Sequence, residues 1–376
     1  MNPVWIAGIG MTPCGKYADV PLHELGRRAA QEALDDAGLR YDQIGEVFGS
    51  SMLSPPQTAL RVAHSLGRTA VPVTAIEAAS AGGLVALRQA AWAVWSGRVE
   101  TALAVGYEKM TALEPGGIVP AVCEIWDRFP PQVVYAITGG RLLHDHGLGP
   151  EVFAAVAAKS WNCAGRYELA GRRPDHTVTI EEVLGARMVS TPLTRMMCHA
   201  SVDGAAAAVV TRERLGDAVA VLAIEQTSAI ADPGWPLVGP TIGPFAQTGV
   251  TARRAYAAAE ILPKDIDIIS LHDMCSSEEI LTLVELGIGD ADDVIRLALD
   301  GDLDIGGRLP TNVDGGCVAR GHPSGATALM QTADVVRQLR GAAGDRQVGA
   351  DVSTGVVQTM GGGGSAAVAV LRRHEG

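Results

Sequence analysis

The sequence predicts an α/β protein built from two related halves, and three observations carry that prediction. Apolar runs of strand length alternate with amphipathic helical stretches from the first residues onward. The same order of elements returns in the last third of the chain. Composition supplies the third observation: 47% hydrophobic residues with four Phe against 45 Gly, which suits small-residue helices packed flat on a sheet. A chain of 376 residues has room for two substantial interiors.

Residues 3–9 (PVWIAGI) read as a buried strand, Leu22–Ala37 as an amphipathic helix stopped by Gly38, and Ile44–Ser50 as the next strand. Val71–Ile76 is strand-like and runs into a small-residue turn over residues 78–83. A helix over Leu84–Ser96 and a strand over Thr101–Val105 follow. Such alternation predicts a mainly parallel sheet. Over about residues 112–200 the pattern breaks, with Pro115-Gly116-Gly117 and Pro130-Pro131 among several helical stretches, as expected of an inserted loop domain. The expected division is therefore 1–240, including that insertion, and 241–376.

Glu32–Ser51 matches Ala255–Met274 in pattern: a helix, a short acidic turn, then an apolar strand. Next, SAGGLVALRQAA from Ser80 lines up with HPSGATALMQTA from His322. Ser80 and His322 thus become counterparts. About a pseudo-twofold axis, both would stand at helix N-termini facing a common centre, where free backbone N–H groups favour developing negative charge.

A formal net charge of −12 excludes a general nucleic-acid or anionic-membrane surface, since both polyanions would repel the protein. The N-terminal MNPVWIAGIGMTPCGKY lacks a signal peptide's basic and apolar regions, and no apolar run is long enough to span a bilayer. A cytoplasmic protein is expected. Cys14, Cys123, Cys163, Cys198, Cys275 and Cys317 are scattered without a CxxC pair, which speaks against a zinc site or a disulfide framework. No metal and no bound cofactor are expected in this chain.

The motif Gly321-His322-Pro323-Ser324-Gly325-Ala326-Thr327 resembles the GHP-x-GAT signature of thiolases. Gly106-Tyr107-Glu108-Lys109-Met110 resembles that family's G-x-E-x-M, and Cys198-His199-Ala200-Ser201-Val202-Asp203-Gly204-Ala205-Ala206-Ala207 its strand lead-in. His272-Asp273-Met274-Cys275 resembles the HDCF motif, and Gly361-Gly362-Gly363-Gly364-Ser365 the C-terminal glycine loop. Five motifs in order leave little room for accident.

The resemblance implies a five-layer α/β/α/β/α thiolase fold acting on the carbon–carbon bond next to an acyl-CoA thioester, with acyl-CoA and coenzyme A as substrates. It implies a homodimer formed through a strand of the first half, for which Thr101–Val105 reads as an apolar edge. The HDxx form implies a small zinc-ribbon/OB-fold partner subunit carrying the metal. Ser80 stands where thiolases place a nucleophilic cysteine, and Cys275 lies one residue beyond the HDCF cysteine.

Two enzymatic readings follow. In the first, a bulky or branched β-ketoacyl-CoA, aromatic or sterol-derived, is cleaved with CoA, Cys275 beside His272 and facing His322 having become nucleophile or acid/base. In the second, a β-hydroxyacyl-CoA undergoes non-covalent retro-aldol cleavage, for which no base is conspicuous. Both need an oxyanion hole from His322, His272 and the amides of Gly361, Gly362, Gly363 and Gly364. A non-catalytic acyl-CoA-binding subunit is the third reading. Cys317 stands in reserve as a thiol near the GHP motif. Lys159 and Arg172-Arg173 are weak candidates for a CoA phosphate.

Overall fold

The structure, a computed structural model, describes residues 4–112, 131–228, 246–362 and 364–374. The chain opens with β1 (Val4–Met11), α1 (Leu22–Ala37), β2 (Glu46–Ser50), α2 (Thr58–Leu66), β3 (Val73–Ile76), α3 (Gly82–Trp95) and β4 (Thr101–Lys109). Then come α4 (Pro131–His146), α5 (Glu151–Gly165), α6 (Ile180–Gly185), the short hairpin β5 (Met188–Ser190) and β6 (Leu193–Thr194), and β7 (Asp203–Thr211). The rest consists of β8 (Val219–Ser228), α7 (Ala246–Ala259), β9 (Ile268–Ser270), α8 (Ser276–Glu285), α9 (Ala291–Leu299), α10 (Ser324–Leu339), β10 (Thr354–Gly361) and β11 (Ser365–Arg372). The expected division at 240/241 lies outside the described residues.

Local sequence explains the elements. α1 turns Leu25, Ala29, Ala30, Ala33 and Leu34 onto one buried face, the spacing of an amphipathic helix. It stops at Gly38, whose φ of 65° is the left-handed cap that glycine adopts without penalty. β1 and β7 are buried along their whole lengths, as strands covered on both faces must be.

Nine strands join in the order β3-β2-β4-β7-β1-β8-β11-β10-β9. The sequence alternation predicts parallel pairing, which holds for β2 with β3 and β4 and for β9 with β10. Elsewhere the neighbours are antiparallel, so the sheet is mixed. Its two arms repeat one topology: β2-β4-β7-β1 in the first half corresponds to β9-β10-β11-β8 in the second. They meet where Val4, Trp5 and Ile6 pair antiparallel with Val221, Ala220 and Val219, as a pseudo-twofold relation requires.

The layers follow from packing. α1 and α2 cover the outer face of the first arm, and α7 covers β8 and β11 of the second. α3 and α10 lie between the arms, each touching strands of both. This is the five-layer α/β/α/β/α arrangement. β4 is interior, flanked by β2 and β7, and the first arm ends at half-exposed β3. The edge expected at Thr101–Val105 is therefore Val73–Ile76: β4 has a hydrogen-bonded neighbour on each side and is buried along its middle, and the free edge falls to the shorter, partly exposed strand. Among the described residues no helix is long and apolar enough to cross a membrane.

The centre depends on close backbone approach. A Cβ on Gly106 would lie 2.3 Å from the Gly325 carbonyl oxygen, and one on Gly83 would lie 3.1 Å from Leu329 N. Gly106→Val is expected to lower stability by about 1–3 kcal/mol through overpacking, read as a fall in denaturant midpoint. Gly185→Ala, with nothing within 4 Å of the new methyl, is the matched control. Equal midpoints for the two variants would contradict the packing.

Candidate active site

After β3 the chain turns through residues 79–81 and enters α3. Ala79 takes a φ of 47°, a left-handed conformation that costs a residue with a Cβ roughly 1–2 kcal/mol. Its N–H donates to Glu77 Oε1 at 2.8 Å, which holds the turn. From the other half, Thr359 Oγ1 donates to the Ser80 carbonyl at 3.2 Å. Gly361 comes so near that a Cβ there would stand 2.3 Å from the Ala78 carbonyl oxygen. The hairpin end of β10 and β11 is thus pressed against the turn that presents Ser80.

His322 arrives from the second half, at the end of a π-helical turn over Gly316–Arg320 and two residues before α10. Its backbone N–H donates to the Ala200 carbonyl at 2.9 Å. Its Nε2 is 3.1 Å from Ser80 Oγ and 3.5 Å from Ser324 Oγ. Its Nδ1 is 2.8 Å from Thr327 Oγ1 and 3.5 Å from Cys317 Sγ. The two helix N-termini expected to face a common centre do so.

His272 follows β9, and its backbone N–H points at both the carbonyl and the side-chain oxygen of Gln358. Nδ1 lies 2.7 Å from Glu278 Oε1, while Glu278 Oε2 accepts the Met274 N–H at 2.7 Å. A carboxylate accepts, so Nδ1 carries the proton and Nε2 the lone pair. That Nε2 is buried and has no hydrogen-bond partner among the described residues. The His272 and His322 rings meet edge to face with centroids 5.0 Å apart, and His199 meets His322 in the same way at 5.5 Å. Three imidazoles, three hydroxyls and one thiol thus converge on two helix starts.

Comparison with known proteins agrees with this geometry. Residues 4–119 match the family model for the thiolase N-terminal domain, and residues 240–373 that for the thiolase C-terminal domain-like region. The chain is 33% identical to the acetyl-CoA acetyltransferase of Methanothermobacter thermautotrophicus, over 99% of this chain and 100% of that protein. The chain belongs to the thiolase family. It is also 30% identical to sterol carrier protein 2 of Oryctolagus cuniculus, over 98% of this chain and 72% of that one. Among solved structures, the Ltp2-ChsH2(DUF35) aldolase superposes with a TM-score of 0.86 at 23% identity, covering 99% of this chain and 98% of that one, which speaks for the fold. The protein is accordingly a thiolase-family enzyme of acyl-CoA carbon–carbon chemistry.

Within this thiolase-family chain, Ser80, His272 and His322 come together as the sequence suggests. Gly361 borders the turn, and Gly364 N donates back to the Gly361 carbonyl at 3.2 Å, closing the glycine loop. Gly362 follows Gly361, and Gly363 lies outside the described residues. Cys275 is placed differently from the expectation. Its thiol points to Cys198, with the sulphurs 3.7 Å apart, because an isolated β-bridge pairs the two residues and turns Cys275 into the second hydrophobic cluster. The thiol that meets the histidines is Cys317. Burial pushes Cys275 up, whereas the hydrogen bond from Cys275, together with Arg172 and Arg195, pulls Cys198 down.

Lys159, expected on the surface as a candidate for phosphate, is buried, ion-paired with Glu279 and donating to the Thr311 carbonyl. Arg172 donates to the carbonyls of Cys198, Val318 and His199, and so braces the His199 segment. Arg173 stays exposed. Sequence reasoning passed over Glu278 and His199. A glutamate six residues after His272, in the first turn of the next helix, was the available signal for the former. Glu108 of the G-x-E-x-M motif also proves structural: it accepts from Ser51 Oγ and from the N–H groups of Met52, Leu53 and Gly325.

The electrostatics favour neutral groups. Burial, followed by the neighbouring His272, His199 and Arg320, pushes His322 well below its ordinary value. Burial and then Arg172 push His199 down to about 4, and burial pushes the Cys317 thiol well up. Both histidines bind protons more readily in the unfolded chain. Stability is therefore expected to fall as pH drops below the ordinary value of 6.5, His199 contributing about 1.4 kcal/mol per pH unit until about pH 4. Denaturant midpoints between pH 7.5 and 5 in the wild type and in His199→Asn check this. An equal slope in both proteins would remove His199 from the account.

Proposed function

We propose that this thiolase-family enzyme cleaves, or in reverse forms, the Cα–Cβ bond of a β-hydroxyacyl-CoA without a covalent acyl-enzyme. The observation that carries this reading is the unpartnered, buried Nε2 of His272, fixed as an acceptor by Glu278. It supplies the base that the sequence did not reveal.

In the retro-aldol direction, His272 Nε2 takes the proton of the β-hydroxyl. The oxygen's electrons form the carbonyl, the Cα–Cβ bond breaks, and its electron pair passes into the thioester enolate. The Thr327 hydroxyl, 2.8 Å from His322 Nδ1, is assigned as donor to that nitrogen rather than to the Pro323 carbonyl, with the Cys317 thiol, kept protonated by burial, beside it at 3.5 Å; this leaves the ring proton on Nε2. That N–H and the Ser80 hydroxyl face the developing enolate oxygen, assisted by the N-termini of α3 and α10. Protonated His272 then returns its proton to Cα, yielding an aldehyde or ketone and the shortened acyl-CoA. Gly361, Gly362, Gly363 and Gly364 are assigned to close backbone approach around the thioester, and Cys275 to packing.

Thiolysis of a bulky β-ketoacyl-CoA, aromatic or sterol-derived, is the second reading. The 3.1 Å contact of Ser80 with His322 favours it, since it would make Ser80 the nucleophile and CoA an obligatory co-substrate. Either reaction is proposed for a homodimer joined at the β3 edge. The solved two-component aldolase neighbour supports a small partner subunit.

The two readings part on free CoA. With a β-hydroxyacyl-CoA and no added CoA, the wild type is expected to release a carbonyl product, detectable by hydrazine derivatisation. Ser80→Ala should lose about 10²–10³-fold while keeping measurable activity, as for removal of one oxyanion-hole donor, and His272→Gln about 10²–10⁴-fold, as for removal of a general base. An absolute requirement for CoA, with Ser80→Ala inactive and an acyl group trapped on Ser80, would replace the aldol reading by thiolysis.

A further inference from the structure

His272, Cys317 and His322 each offer one ligand atom, and these atoms lie within 4.8 Å of one another. We propose that these three residues form a reversible, inhibitory binding site for a zinc ion.

All three are at least nine-tenths buried, with exposures of 3%, 0% and 2%. The His272 Nε2 lone pair points inward with no partner among the described residues, which is the state of a ligand awaiting an ion. Its other nitrogen already contacts Glu278, the carboxylate–histidine arrangement that orients imidazoles on zinc. Cys317 Sγ and His322 Nδ1 are 3.5 Å apart, the separation of two ligands about 2.3 and 2.1 Å from a tetrahedral ion. Small rotations of the His272 ring bring the third ligand in.

The donor set selects the metal. Two imidazoles and a thiolate suit borderline-soft zinc, and they are poor ligands for magnesium or calcium, which take oxygen. Three protein ligands leave a fourth position for solvent. Binding replaces the Cys317 S–H proton by a Zn–S bond and releases that proton to solvent, so no oxidant or reductant is involved. No local spacing pattern reveals the site, because the ligands come from a strand end, a π-helical turn and a helix start.

Inhibition rests on the proposed function, in which zinc would occupy the lone pair of the base. Binding itself does not depend on that reading. The experiment uses the full-length chain, stripped with a chelator, loaded with zinc chloride and desalted.

One zinc per chain should be retained, and cobalt in its place should give a sulphur-to-cobalt charge-transfer band. Cys317→Ala should lose the band and bind zinc at least 10-fold more weakly, and Glu278→Gln should weaken binding about 10–100-fold. If Cys317→Ala does not fold, the conservative Cys317→Ser decides, with the sulphur-to-cobalt band expected to vanish. No retained zinc, equal retention by Cys317→Ala, or a sulphur-to-cobalt band that persists in Cys317→Ser would overturn the site. Full turnover with zinc bound at Cys317 would overturn the inhibition. The cobalt band without any aldol activity would uphold the site while removing the proposed reaction.

Discussion

Two helices can approach to backbone contact in the middle of a protein only where neither carries bulk at the contact. α3 and α10 satisfy that condition with Gly83 facing the Gly325 carbonyl and Leu329 N, while Gly106 of β4 takes the other side of the same carbonyl. The arrangement fixes far more than density. Ser80 precedes one helix and His322 the other, so the close packing of the two helix starts brings their side chains to 3.1 Å. Both partial positive ends then point at one spot. A methyl group at Gly106 would act on the site without touching a functional residue, because the displaced carbonyl belongs to the turn that follows His322.

Around this contact the protein buries charge in pairs. Lys159 meets Glu279, Arg320 meets Asp314, and Arg346 meets Asp334, all nearly without solvent exposure. Such pairs are weak evidence of stability, since desolvation offsets much of their attraction, yet losing one partner costs about 3–5 kcal/mol. Their placement explains why they are kept. Glu279 also accepts from Asn312 Nδ2, and Asn312 Oδ1 accepts the Leu271 N–H one residue before His272. Asp314 and Arg320 bracket the π-helical turn that carries Cys317. The charges hold two loops in register where hydrophobic side chains would fix position less exactingly.

The fold was legible because periodicity and repetition are local properties of the chain. Leu22–Ala37 was readable to the residue, its apolar stripe being continuous and its end marked by Gly38. Pairing direction was less so: β7 returns antiparallel to both β4 and β1 after a long insertion, and alternation of strands and helices says nothing about such a return. The meeting of Ser80 with His322 was legible through the duplication. Which thiol joins them was not. Cys275 lies three residues after His272 and Cys317 five before His322, a difference too small to choose between them. A single β-bridge to Cys198 turns one away, and a π-helical turn brings the other in. That turn has no composition signature of its own, and glycines at 315 and 316, with φ of 96° and 57°, only permit it.

The serine at position 80 decides what chemistry this geometry can support. A helix N-terminus stabilises an anion by about 0.3–2 kcal/mol, or roughly one pKa unit. That is enough to help a thiol ionise but far too little for an alkanol. His322 could remove the hydroxyl proton instead, but burial holds its basicity well below the ordinary value, and among the described residues no carboxylate sits at its Nδ1 to stabilise the resulting imidazolium. Thr327 and Cys317 occupy that nitrogen, and both are neutral. His272 has the reverse environment: a carboxylate at Nδ1, a free Nε2 and a short path to the same centre. The carboxylate that would offset the positive charge of a protonated imidazole therefore sits beside His272 and, among the described residues, not beside His322. On the proposed aldol reading, His322 and Ser80 are donors to an oxyanion, and the proton is moved by His272.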